Sequence, residues 1–130
     1  MQHFRRPVTW LLALHFALLV LHSSAHVYHD VYPDPVGWFI IVFGYYLLPA
    51  LGFLHFSWRS AGSFAPVLLG IGAAFVHGLV YHFVLDTPDY VCYFGVHITG
   101  LWFSVTAIAL AVIDSCIVVA SLAGMLFPIR

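Results

Sequence analysis

Nine histidines stand out in a 130-residue chain that is 63% hydrophobic and only 7% charged. Four of them, His15, His22, His26 and His29, recur along one apolar run, and on a helix their directions fall within about 60° of one another. His22 and His26 are one turn apart, the spacing at which two imidazoles reach a common ion. His77 and His82 follow in a later apolar run, and His97 opens the last one. Imidazole nitrogen with carboxylate oxygen suits copper, zinc or iron. Low dielectric favours the neutral ring, which is the form that binds metal. The pattern predicts a transition-metal centre drawing on His22, His26, His29, His82 and His97, with Asp30 and Asp86 as oxygen donors. Further aspartates, Asp89 among them, would orient the ligating rings from behind.

A b-type haem is the rival cofactor. It needs two axial imidazoles on facing helices, with small residues that leave room for the ring. His15 or His22 can pair in this way with His77, beside Gly70, Ala73, Ala74 and Gly78. The order His77, then Asp89-Tyr90, resembles the helix histidine and Asp-Tyr pair of the haem-binding membrane anchors of succinate dehydrogenase. That resemblance covers three residues, and it implies haem ligation by His77. Pro88 and a fourth apolar run depart from that family's pattern, and the likeness assigns no membership.

The elements that must position these side chains are apolar runs of membrane-spanning length. A soluble domain carries roughly 25% charged residues; this chain has four arginines, five aspartates, no lysine and no glutamate. Lipid is the solvent that fits such a surface. The expected fold is an all-α integral membrane bundle of four transmembrane helices in a single domain, with spans at about 7–27, 36–58, 64–85 and 96–126. Pro7 suits a first helical position. Pro33 and Pro35 end the first run, and Pro49 predicts a kink in the second. The last run exceeds one crossing, so it must tilt, project or break near Gly95, Gly100 or Gly124. The amino-terminal 25 residues also have the layout of a secretory signal, with Arg5 and Arg6, an apolar stretch, then Ser23 and Ala25. They are read as an uncleaved anchor and first span.

Four crossings place Arg5, Arg6, Arg59 and Arg130 on one side and Asp30, Asp34, Asp86 and Asp89 on the other. The positive-inside rule then puts both termini on the cytoplasmic side. Trp10, Trp38, Trp58 and Trp102 lie near span ends, as an interfacial belt does. Asp114 is the one acid inside an apolar run and should face the bundle interior, where it and His55 are candidates for proton transfer. Cys92 and Cys116 fall too far apart in the layout to pair, and His3 is read as a solvent-side residue.

Scattered arginines make no phosphate-tracking groove, so nucleic acid is not an expected partner. The expected partners are the bilayer and other membrane subunits or further copies of the chain. No Walker loop, HExxH, CxxC or dinucleotide fingerprint is present, so a complete enzyme is not expected. Three functions follow: a small membrane subunit binding a transition metal near its outer face, for metal handling or within a redox complex; a haem-bearing electron-transfer anchor; and a non-catalytic structural subunit of a larger membrane assembly.

Overall fold

The computed structural model describes residues 2–58, 64–94 and 98–127. Helix α1 is Gln2–Tyr28. Helix α2, Pro35–Ile40, runs through a π-helical turn at Ile41–Leu47 into α3, Leu48–Trp58. Helix α4, Phe64–Leu79, ends in a second π-helical turn at Val80–Val84. A short 3-10 turn, Val91–Phe94, precedes α5, Ile98–Leu126. Four stretches are long and apolar enough to cross a membrane: Arg6–Tyr28, Pro35–His55, Phe64–Val84 and Thr99–Leu126. Their outward side chains are apolar, including Val20, Phe39, Leu69, Val105 and Val119. The protein is a multi-pass integral membrane protein with an all-α, four-helix fold.

Span 1 packs along span 4, span 4 along span 3, span 3 along span 2, and span 2 closes back on span 1. Each span thus neighbours its partners in sequence, the up-down arrangement that short connections impose. The start of α1 and the end of α5 share one end of the bundle. The connections bearing Asp30, Asp34, Asp86 and Asp89 share the other. Arg59, Arg130, Gly95 and His97 lie outside the described residues.

The inward face of α1 advances in alternating steps of four and three: Val8, Leu12, His15, Leu19, His22, His26, His29. That spacing is the seam of a left-handed helix pair. It meets α5 in antiparallel register, His15 against Asp114 and His22 against Thr106. The seam builds layers. Val8, Leu12, Phe64, Val67, Ile71 and Ile117 form an apolar core at the terminal end. His15 and Asp114 come next. Leu19, Tyr45, Ala74 and Leu110 form a second apolar cluster. The remaining histidines of the α1 seam, His22, His26 and His29, lie beyond it, toward the aspartate-bearing end.

Three local expectations are corrected or refined. Helix α1 begins at Gln2, so Pro7 sits in its second turn rather than at its first position. The hydrogen bond lost there belongs to the helix's outermost turns, where backbone groups are least committed. Pro49, where a kink is expected, is the second residue of α3 and follows the π-helical turn Ile41–Leu47. Helix α5 is continuous through Gly100 and Gly124. At 29 residues it is about 44 Å long, more than a bilayer core of about 30 Å.

Close helix approach fixes the terminal half. A Cβ built on Gly52 would lie 2.3 Å from Val67 Cγ2, and one on Gly124 would lie 2.5 Å from the Phe64 ring. Small residues at such contacts let backbones approach where hydrocarbon gives no hydrophobic drive to associate. Gly72, in contrast, has nothing within 4 Å of its would-be Cβ. Gly52→Ala is expected to destabilise the bundle by about 1–3 kcal/mol through overpacking. Gly72→Ala serves as the neutral control. Thermal unfolding in detergent measures both, and equal midpoints would contradict the packing described.

Candidate metal centre

His22, His26 and His82 converge, and a ring nitrogen from each lies within 4.8 Å of the others. His22 Nε2 is 3.1 Å from His26 Nε2 and 3.2 Å from His82 Nε2. Helix α1 supplies two of the rings one turn apart, and the π-helical turn after α4 supplies the third. The buried faces of α4 run Phe64, Val67, Ile71, Ala74, a progression that next points Gly78 and Tyr81 inward. A π turn holds an extra residue, and within it His82 is the buried one.

The outward nitrogens fix where the hydrogens are. His26 Nδ1 is 3.2 Å from the Val31 carbonyl, and His82 Nδ1 is 2.9 Å from the Asp89 carbonyl. A carbonyl only accepts, so both Nδ1 atoms carry hydrogen. His22 Nδ1 is 2.9 Å from Thr106 Oγ1. That hydroxyl donates to the carbonyls of Trp102 and Phe103, so it accepts from His22. A neutral imidazole has one N–H. All three Nε2 atoms therefore turn bare lone pairs toward one another. In a dry site this is repulsive unless a cation stands between them. A single proton bridges two nitrogens, whereas a metal ion joins three. Tetrahedral zinc, with bonds of about 2.0–2.1 Å, spaces its ligands about 3.3 Å apart, close to the two short separations. The donor set thus fits a small transition-metal ion.

Phe103, fully buried, covers the centre from α5, its ring centroid 4.8 Å from His26, 4.9 Å from His22 and 5.6 Å from His82. A cavity of about 40 Å³ is lined by the three histidines, Tyr45, His77 and Asp89 among others. A water needs about 10–15 Å³ by the same measure. The cavity is large enough for a water-sized ligand.

The structure brings some of the sequence-predicted residues together and not others. His29 stands apart: its Nε2 donates to the Thr99 carbonyl at 3.1 Å, and its ring packs on Phe94. Asp30 is exposed and holds a left-handed φ of 55°. Its N–H bonds to the Val27 carbonyl, and the Val31 N–H reaches back to that of His26. This is a Schellman ending, in which aspartate substitutes for the usual glycine. It folds Val31 over the last turn of α1 and so presents the carbonyl that His26 uses. Asp86 is exposed in the next connection. Asp89 reaches His82 through its backbone carbonyl and lines the cavity. His97 lies outside the described residues.

His15 belongs to a different constellation. It is fully buried, with Nδ1 2.6 Å from Asp114 Oδ1 and Nε2 3.2 Å from the Tyr45 carbonyl. His15 supplies a donor there. With Nε2–H so committed, one hydrogen serves Nδ1 and Oδ1 together. Both nitrogens of His15 are engaged, and the Tyr45 ring contacts both His15 and His77. His15 thus has no free nitrogen to offer as an axial ligand. His55 is half-buried in α3.

Thr106, Phe103 and the backbone carbonyls of Val31 and Asp89 complete the centre without having drawn notice in the sequence. Only Thr106, a polar residue within the apolar α5, carried a visible signal. Comparison with family models, with curated proteins and with solved structures finds no match.

The His15–Asp114 contact makes a quantitative prediction. His15→Leu or Asp114→Leu leaves its partner buried and unpaired, a loss of about 1–3 kcal/mol or more. Removing both restores apolar consistency, so the double variant should lose less than the sum of the two. Thermal unfolding in detergent gives the cycle, and additive losses would show that the two groups are not coupled.

Proposed function

We propose that this protein holds one transition-metal ion through His22, His26 and His82 inside its four-helix membrane bundle, and that it serves metal handling. The observation that supports this reading is the convergence of three hydrogen-free Nε2 atoms, each ring fixed from behind by a protein oxygen. Outer hydrogen bonds of this kind orient the ligating rings of metal sites and select their tautomer. Three protein ligands with room for a fourth are the mark of a site that exchanges its ligand or substrate, whereas structural sites are closed by four. The engagement of both His15 nitrogens favours an ion over a porphyrin. The arginine and aspartate distribution supports a topology with both termini in the cytoplasm and the metal near the outer face. Copper, zinc and iron all suit nitrogen donors. A role within a larger redox complex is compatible with the same centre.

The test is metal content of the full chain purified in detergent and loaded with Zn²⁺ or Co²⁺. One ion per chain is expected, with Co²⁺ giving ligand-field absorption. His22→Ala, His26→Ala and His82→Ala should each weaken binding at least about tenfold, since each removes one of three bonds. Asp30→Gly keeps the left-handed turn and should retain the metal. Wild-type protein that stays metal-free at saturating metal would overturn the reading, as would full retention in all three histidine variants. No Soret band is expected. Protons compete for the same Nε2 lone pairs. Bound metal should therefore be released as the solution is acidified.

A further inference from the structure

His77 is the imidazole beside the centre that the ligand set does not use. Its Nδ1 is 3.3 Å from the Tyr45 hydroxyl, which itself donates to the Ala74 carbonyl at 2.7 Å. By the same accounting as before, His77 Nδ1 carries the hydrogen and Nε2 is a bare lone pair. That Nε2 is buried and has no hydrogen-bond partner. Tyr81 stacks on the ring at 4.3 Å and holds its plane. His77 is thus a fourth ring with its hydrogen engaged and its second nitrogen left to bind something else.

Its position gives the lone pair a use. A second, more open cleft of about 250 Å³ lies between the two aspartate-bearing connections, lined by Tyr32, Asp34, Tyr81 and Thr87 among others. His77 and Asp89 line this cleft, and they also line the small cavity that holds His22, His26 and His82. They are the shared wall between the two spaces. Asp34 spends Oδ1 on the Gly37 N–H at 2.6 Å, which caps α2 and fixes one side of the cleft.

We propose that His77 and Asp89 form a second, transient cation station, where a divalent transition-metal ion arriving through the cleft sheds part of its water before passing to His22, His26 and His82. This rests on the metal-handling reading above. Two donors, one neutral nitrogen and one carboxylate, hold an ion less tightly than three converging imidazoles. The station therefore passes its ion inward. The carboxylates of Asp34 and Asp89 draw cations to the mouth by Coulomb attraction.

Stopped-flow loading of the metal-free full chain in detergent with Co²⁺, followed by its ligand-field absorption, tests the station. The wild-type rate should saturate with Co²⁺ concentration, because a preliminary complex forms. His77→Phe keeps the aromatic contacts and removes the nitrogen. Asp89→Asn keeps the carbonyl that serves His82 and removes the charge. Each should slow loading about tenfold and still reach one ion per chain. Wild-type rates in both variants, with stoichiometry unchanged, would overturn the station and leave the three-histidine centre standing. Normal loading rates with reduced final metal would overturn it too, since His77 would then be a resident ligand. A wild-type protein that takes up no Co²⁺ would remove both the centre and the station.

Discussion

Hydrocarbon offers a buried polar group no partner, so the nitrogens and hydroxyls inside this bundle are answered, with few exceptions, by another part of the chain. That constraint orders the interior more strongly than apolar packing does. Lipid tails solvate the outward leucines and valines as well as a protein core would, and burial of apolar surface gives the spans little reason to associate. What the spans cannot find in lipid is a donor for the Tyr45 carbonyl, a partner for the Asp114 carboxyl or an acceptor for each histidine Nδ1–H. The needs of His15, His22 and Asp114 are met across helices and set the register of α1 against α5, whereas His26 and His82 find carbonyls just beyond their own helices.

The same residue type is used in two opposite ways along a single helix face. His15 is spent at both ends, between Asp114 and Tyr45, and has nothing left with which to bind an ion. His22, seven residues on, and His26 are anchored at one nitrogen only, and the other is turned toward a shared point with His82. The difference lies in the neighbours. The Tyr45 carbonyl and the Asp114 carboxyl flank His15 on its two sides. The end of α1, closed by Asp30, offers a single carbonyl on the outer side of His26.

Much of this was legible in the sequence. Charge poverty and run lengths gave the four spans, and the 100° helical period put the α1 histidines on one face. The i, i+4 pair of His22 and His26 and the later His82 were placed together among the candidate ligands, and they converge here. What escaped the reading lies mostly in the backbone. Val31 and Asp89 act through carbonyls, which every residue has, so no residue type announces them. Asp30 reads as a ligand by chemistry and is placed in the fold as a helix ending by conformation. His29 shares the stripe but sits beyond the reach of the third span, and it is satisfied by Thr99 instead. The π-helical turns left no periodic trace, because a local change of pitch shifts only the residues after it.

That change of pitch decides which ring faces the bundle interior. The π-helical turn at Val80–Val84 is a helix carrying one surplus residue. Were the same residues wound as an ordinary α-helix, Tyr81 would take the inward place and His82 would swing away by about 100°. Removing the surplus residue before His82 would instead carry the imidazole into the inward place of the regular winding. The third ring of the cluster is thus set by the winding of the helix as much as by the residue type.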